Sequence, residues 1–401
     1  MNNQADSGTL LADTGTEPKS SKRIEIVDVL RGFAILVIML LHNIEHFNFY
    51  FFPDKAGQAD WLNALDKNIW DSMFFLFGGK TYSIFAILFG FTFSLMFLKQ
   101  QQQGIDFGKR YLWRLLLLAG FACFNAMFFP GEVLMLYAIT GVSLYFVRNW
   151  SNKSLFFIAL FFLSQPWEWF NYIKYVSIAD FSLPKQINSQ YWKPVMEALH
   201  SDSIWITFKS NITTGQWWSL LWAIENGRFT QTIGLFMVGF LIGKKGLFGS
   251  HFYDFWKKVL PLAILFCIPL FYTKLHFQGV DEVTIKRTLG VIFDMWWKLS
   301  FTFIWVSLFI LLYKFSFFQK LTAPLKTYGK MSMTNYITQS IFGGILYFGY
   351  GFYLAKTCGT TISFSIGLIM LVVQMICCHY WIKKYKQGPF EKLWHKLTWI
   401  K

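Results

Sequence analysis

The chain has 401 residues, 54% of them hydrophobic and only 15% charged, with a mean hydropathy of +0.38. Soluble domains carry about 25% charged residues, so this composition excludes an ordinary water-soluble enzyme. Five cysteines exclude a disulfide-stapled secreted scaffold, and the net charge of +15 raises a nucleic-acid question that only the placement of the charges can answer.

Residues 1–22 are polar and rich in Gly, Thr, Ser and Asp, with no apolar run directly behind them. They read as a disordered tail rather than a signal peptide. From residue 23 to 385 apolar segments follow one another, and a helix needs about 20 apolar residues to cross a bilayer. The expected spans are 27–47, 81–98, 111–129, 133–147, 155–170, 229–247, 255–272, 291–313, 333–354 and 362–382. Together they predict an all-α integral membrane protein, a bundle of about ten transmembrane helices. The stretch 61–77 carries Asp66, Lys67 and Asp71 and reads as interfacial or re-entrant. Residues 171–228 form a long extracytoplasmic connection with Trp192, Trp205, Trp217, Trp218 and Trp222, expected to lie on the membrane face as short amphipathic helices. This segment either packs and anchors or forms a lid. Residues 386–401, with Trp394 among bases, read as a cytoplasmic amphipathic helix.

The charges follow the spans. Lys19, Lys22 and Arg23 precede the first; Lys99, Lys109 and Arg110 separate the second and third. Lys244, Lys245, Lys257 and Lys258 join the sixth and seventh; Lys383, Lys384 and Lys386 follow the tenth. All fall on one side of a ten-span arrangement. This positive-inside pattern puts both termini in the cytoplasm. The bilayer is therefore the expected partner, and nucleic acid is not.

Ionisable groups inside spans cost roughly 2.5–3.5 kcal/mol each on insertion scales, so each one needs a reason. Asp28 and Arg31 share a face of the first span and form either a local ion pair or an anion-binding pair. Its outer end reads His42-Asn43-Ile44-Glu45-His46, formally the H-x-x-E-H arrangement of inverted zinc peptidases. Without a third ligand, no metal is assigned; His42 and His46 are candidate bases, alongside Glu132. Glu132 alternatively caps the helix it precedes. Lys80 opens the second span, Asn125 and Glu132 flank the turn after the third, and Arg228 borders the large loop. Asp294 and Lys298 sit four apart as an ion pair would. Asn335 and Gln339 lie on one face of the ninth span, where they either glue helices or line a cavity. The five cysteines lie in or beside spans as small core residues.

Several ordered blocks carry a resemblance. These are Asp28-Val29-Leu30-Arg31-Gly32 with Asn43, the run from Lys80 to Gly90, Gly131-Glu132-Val133-Leu134-Met135-Leu136-Tyr137, Gly329 to Ser340, and Gln387-Gly388-Pro389-Phe390-Glu391 with Leu393-Trp394. Over about residues 23 to 398 the chain resembles the YeiB-like family of bacterial polytopic membrane proteins, domain of unknown function 418. That family is similar to a wider set of transmembrane acyltransferases that includes heparan-alpha-glucosaminide N-acetyltransferase. The resemblance implies a multi-pass protein of the bacterial inner membrane, with no permanently bound cofactor. It also implies an acyl-CoA co-substrate on the cytoplasmic side and a glycan or lipid acceptor. Two positions depart from the pattern: Asn125 stands where many members have His, and Glu132 where Asp is usual. An amide does not titrate, so Asn125 cannot serve as a base.

Three functions follow as expectations. The first is an acyltransferase in which Arg31 and Lys80 hold the donor, a base among Glu132, His42 and His46 activates the acceptor, and Asn335 and Gln339 orient it. Asp28, Asn43, Asn125 and Arg228 complete the binding set. The second is a transporter or flippase of a small anionic or lipid-linked solute, and the third a non-catalytic membrane protein whose charges only pair; a zinc-dependent membrane hydrolase stands beside these as a further alternative. Asp28 and Asn43 are 15 positions apart, about 22 Å along a helix, so one compact site cannot use both ends of the first span. Whether the bundle works as a homo-oligomer is left open.

Overall fold

The computed structural model describes residues 24–47, 51–54 and 57–400; the expected tail 1–22, and with it Arg23, lies outside the described residues. Helices follow one another with no strand among the described residues. In chain order they are α1 (Glu25–Ile44), α2 (Asp60–Phe77), α3 (Lys80–Gln102), α4 (Gly108–Ala126) and α5 (Leu134–Val147). Then come α6 (Asn152–Leu163), α7 (Pro166–Ser177), α8 (Ser189–Leu199), α9 (Ile204–Ser210) and α10 (Gln216–Glu225). The rest are α11 (Arg228–Lys244), α12 (Tyr253–Gly279), α13 (Val283–Ile285), α14 (Val291–Leu312), α15 (Ser316–Leu321), α16 (Ala323–Lys330), α17 (Ser332–Tyr347), α18 (Thr360–Lys384) and α19 (Pro389–Thr398). Each expected span contains or overlaps a helix, and the expected loop 171–228 folds as the short helices α8 to α10.

Four segments are long and apolar enough to cross a membrane: Asp60–Gln102, Ser250–Gly279, Val283–Leu312 and Thr360–Lys384. Their outward faces are apolar. Leu265 on α12 is 64% exposed and Ile369 on α18 is 65% exposed. Water would penalise such stripes, whereas hydrocarbon tails do not. Polar groups are held inside the bundle, with Asp28, Asn43, Lys80, Asn125, Glu132, Asn335 and Gln339 all buried. A helix satisfies its own backbone groups, which is why the bundle can expose apolar faces on every side.

The centre of the bundle rests on close backbone approach. α3 and α11 run parallel: Tyr82 meets Arg228 and Thr232 at one end, and Ser94 meets Gly243 toward the other. At their crossing, a methyl group on Gly239 would lie 2.8 Å from the carbonyl carbon of Ile87. A methyl group on Gly90 would lie 2.7 Å from that of Phe236. Gly32 and Gly329 let α1 and α16 meet in the same way. Small residues at such crossings let backbones approach where apolar side chains gain nothing from leaving lipid.

α2 exposes one face and packs the other through Ile69, Trp70, Met73 and Phe77; on that face the buried Asp66 caps α18, accepting from the backbone N–H of Thr361 at 2.7 Å. α19 is more than a surface helix. Its Glu391 accepts from the backbone N–H groups of Met333 and Thr334 at 2.7 and 3.0 Å, and Trp394 lies 4.3 Å from the Arg114 guanidinium. All five cysteines are free, Cys123 and Cys377 exposed and the other three buried.

Candidate functional site

Two chambers open inside the bundle. The first, of about 530 Å³, lies at the end where α1 finishes and α3 and α11 begin. Its polar lining comes from His42 and Glu45, Lys80 and Tyr82, Glu132, Ser219, Arg228, Lys274, Lys298 and Tyr336. Phe74, Phe75, Phe271, Trp218, Trp222 and Trp297 supply apolar wall. The second chamber, of about 610 Å³, lies toward the other end of α1 and α3 and is closed by α19. Arg31, Lys99, Arg114, Lys330, Glu391 and His395 line it. Four residues belong to both linings: Phe85, Leu134, Tyr137 and Tyr336. These side chains are the wall between the chambers.

Local sequence explains how the cations reach the first chamber. Gly79 has φ +76°, a left-handed residue at the join of α2 and α3. Lys80, the first residue of α3, is fully buried, and its ammonium donates to the carbonyls of Phe74 and Phe75 at 3.2 and 2.7 Å. The same Nζ sits 3.9 Å from the Trp297 ring centre. Gly227, with φ +68°, repeats the device before Arg228, the first residue of α11. The Arg228 guanidinium lies between the rings of Tyr82 and Trp222, at 4.9 and 5.0 Å. Asp294 pairs with Lys298 one turn on, as the spacing predicts, and also with Lys274 of α12 at 3.0 Å.

The H-x-x-E-H run divides. His42 faces the first chamber with Nδ1 3.5 Å from Glu45 Oε2, within ion-pair range though long for a hydrogen bond. His46 turns away from it. Its ring nitrogens meet Phe51 O and Ser363 Oγ, both at 2.8 Å, and the ring stacks on Tyr347. Burial pushes the His46 imidazole down to about 4, so it stays neutral. The two histidines therefore do not converge on one ligand. Among the described residues no three His, Cys, Asp or Glu side chains cluster to hold a metal.

Glu132 lies in the turn between α4 and α5. Its carboxyl oxygens accept from the N–H groups of Leu134 and Met135, so it caps α5 and faces the chamber as well. Burial pushes it up to about 8, against the opposing pull of those N–H groups. It therefore holds its proton through the neutral range.

Thus His42, Lys80, Glu132 and Arg228 come together in the first chamber, while Arg31 lies in the second, where it donates to Thr92 at 3.1 Å and pairs with Asp28 at 3.3 Å. Arg31 and Lys80, expected to share one donor, belong to different chambers. The remaining candidates line neither. Asn43 donates to Met39 O and accepts from Tyr347, both within α1 and α17 packing. Asn335 donates to Tyr328 O and accepts from Cys378, tying α17 to α16 and α18. Asn125 and Gln339 are buried, and among the described residues neither side chain has a hydrogen-bond partner. Sequence reasoning gave no chamber role to Lys274, Tyr137 or Tyr336. Their signal was weak, because a lysine near a span end and tyrosines within spans are common in membrane helices.

The fold and its buried charges define a polytopic helical membrane protein with two internal polar chambers. Residues 242–401 match the family model described as "Protein of unknown function (DUF418)". The chain is 26% identical to "Uncharacterized protein YxaH" of Bacillus subtilis (strain 168), an alignment covering 95% of each. It is 27% identical to "Uncharacterized protein YeiB" of Escherichia coli (strain K12), over 93% of this chain and 95% of that protein. No solved structure matches. The chain is similar to YeiB-like proteins over nearly its whole length and to the DUF418 family over residues 242–401.

Proposed function

We propose that the protein is a transmembrane acyltransferase of the bacterial inner membrane, a bundle of about ten spans with both termini cytoplasmic. It takes an acyl group from cytoplasmic acyl-CoA and gives it to a glycan or lipid acceptor on the other side. The observation that carries this reading is the pair of chambers meeting back to back at Tyr137 and Tyr336. A reaction between substrates on opposite sides of a membrane needs two compartments with a thin common wall. Lys99, Lys109 and Arg110, where α3 passes to α4 at the second chamber's end, support a cytoplasmic face there, and Arg31, Arg114 and Lys330 suit the donor's phosphates.

In this scheme His42, oriented by Glu45, takes the proton from an acceptor hydroxyl. The hydroxyl oxygen bonds to the thioester carbonyl carbon, and the carbonyl becomes an oxyanion. Glu132, protonated at neutral pH, donates a hydrogen bond to that oxyanion, as a buried carboxylic acid can. When the tetrahedral intermediate collapses the C–S bond breaks. The CoA thiolate then takes up the proton, leaving an acyl ester and free CoA.

Purified protein incubated with labelled acetyl-CoA and an envelope lipid and glycan extract tests the scheme. Acceptor labelling that falls about 100-fold or more in His42→Ala is expected. Labelling that survives that substitution overturns the assignment of the base. Absence of labelling, with solute uptake into proteoliposomes, replaces the transferase by a transporter using the same chambers.

A further inference from the structure

The first chamber is electrostatically unusual in a way that catalysis by His42 and Glu132 does not use. α3 and α11 run parallel, so the positive ends of two helix dipoles point into it. Anions are favoured at helix N-termini and cations disfavoured, yet the first residue of α3 is Lys80 and the first residue of α11 is Arg228. Lys274 and Lys298 add two further cations. Among the described residues Asp294 is the carboxylate paired with this group, and it meets both lysines. Glu45 faces His42, and Glu132 caps α5. Four basic side chains against the carboxylates of Asp294 and Glu45 leave an excess of base at two helix N-termini, in a mostly apolar interior.

The side chains also converge. A Cβ built on Gly79 would lie 2.9 Å from Lys298 Cδ and 3.4 Å from Arg228 Nη2, so a chain from α14 and one from α11 bracket the start of α3. Among the described residues Arg228 has no ion-pair partner; it rests on two aromatic faces and leaves its fork of N–H donors available. Resting on the proposal that this chamber holds the acceptor, we infer that its occupant carries a phosphate group, bound by Arg228 and Lys298 at the N-termini of α3 and α11. A carboxylate offers one charge and two oxygens. A phosphate offers up to two charges and more oxygens, a closer match to a cluster of bases with a guanidinium fork. The aromatic walls formed by Phe74, Phe271 and Trp297 accommodate either a lipid chain or a sugar ring beside it.

Calorimetric titration of the full chain in a neutral maltoside detergent tests this with two phosphates, dihexanoylphosphatidic acid and glucose 6-phosphate, against neutral dihexanoylglycerol and glucose. Saturable binding of at least one phosphate, weakened by salt, is expected. Arg228→Gln should weaken it about 10-fold or more, Arg228→Lys less so, and Lys193→Gln on the exposed face of α8 not at all. Tighter binding of phosphatidic acid identifies a lipid headgroup, and tighter binding of the sugar phosphate a soluble glycan; either supports the site. Absence of saturable phosphate binding by wild-type protein with an intact melting transition overturns it. So does wild-type affinity in an Arg228→Gln variant that melts normally. Phosphate binding without acyl transfer would remove the transferase reading and leave this site standing, and transfer without phosphate binding would do the reverse.

Discussion

The crossing of α3 and α11 sets the geometry of the first chamber, because one helix carries Lys80 and the other Arg228. Consider Gly239→Ala. Its new methyl group would lie 2.8 Å from the carbonyl carbon of Ile87 and 2.9 Å from the amide nitrogen of Phe91, where ordinary contact begins at 3.4 Å. Both neighbours are backbone, so no rotamer change relieves the overlap, and the helices must part by at least ~0.6 Å. Overpacking of this kind costs roughly 1–3 kcal/mol. With about 2 °C or more per kcal/mol in a large domain, the melting temperature should fall by roughly 2–6 °C. A displacement approaching 1 Å at a reacting group costs on the order of 100-fold in rate, so acyl transfer should fall about 10-fold or more. Tryptophan fluorescence melting in detergent and the labelled-acetyl transfer assay read the two effects. Gly120→Ala is the control: this exposed mid-helix glycine of α4 has nothing within 4 Å of an added Cβ. That substitution should be neutral or stabilising by up to about 1 kcal/mol. If Gly239→Ala melts with Gly120→Ala and the wild type, the close approach of α3 and α11 is refuted.

Two other outcomes follow from buried polar groups, one in the turn after α1 and one on α2. His46, held neutral with its imidazole lowered to about 4 against 6.5 in the unfolded chain, contributes stability that is present above pH 6.5 and lost as pH falls through 4. The loss should be about 3 kcal/mol at most, and His46→Gln should flatten the melting-temperature profile over that interval. Asp66→Ala removes the cap of α18 and leaves the Thr361 N–H and hydroxyl and the Gln58 amide without their acceptor. A loss of about 1–2 kcal/mol is expected, while Asp66→Asn should retain part of it. A melting temperature unchanged in Asp66→Ala would remove the cap from the account.

The helices were legible because their apolar runs have the length and composition that a bilayer demands, and no partner is needed to see them. The boundaries of α5 and α14 fall within a residue of their predicted spans for this reason. The interior polar groups were legible as exceptions, since each charge in an apolar run stands out against its cost. Which of them meet was not legible. His42 and His46 look equivalent in sequence, four apart on one helix, but the chain turns after Ile44 and sends one ring to the chamber and the other to Ser363. Arg31 and Lys80 likewise resemble two halves of one anion site and lie in two chambers. Asn335 reads as readily as a cavity residue as it does as the interhelical link it forms.

What the sequence determined by itself is the all-helical membrane character, the position of the helices and the short list of buried polar groups, because hydropathy, turn glycines and charge cost act locally along the chain. What only the tertiary structure decided is the partition of that list into two chambers. It also decided the wall of Tyr137 and Tyr336, and the meeting of Lys80, Arg228, Lys274 and Lys298 from four different helices. Those depend on which faces cross and how closely, which glycine-mediated backbone contacts fix between segments as far apart as Ile87 and Gly239.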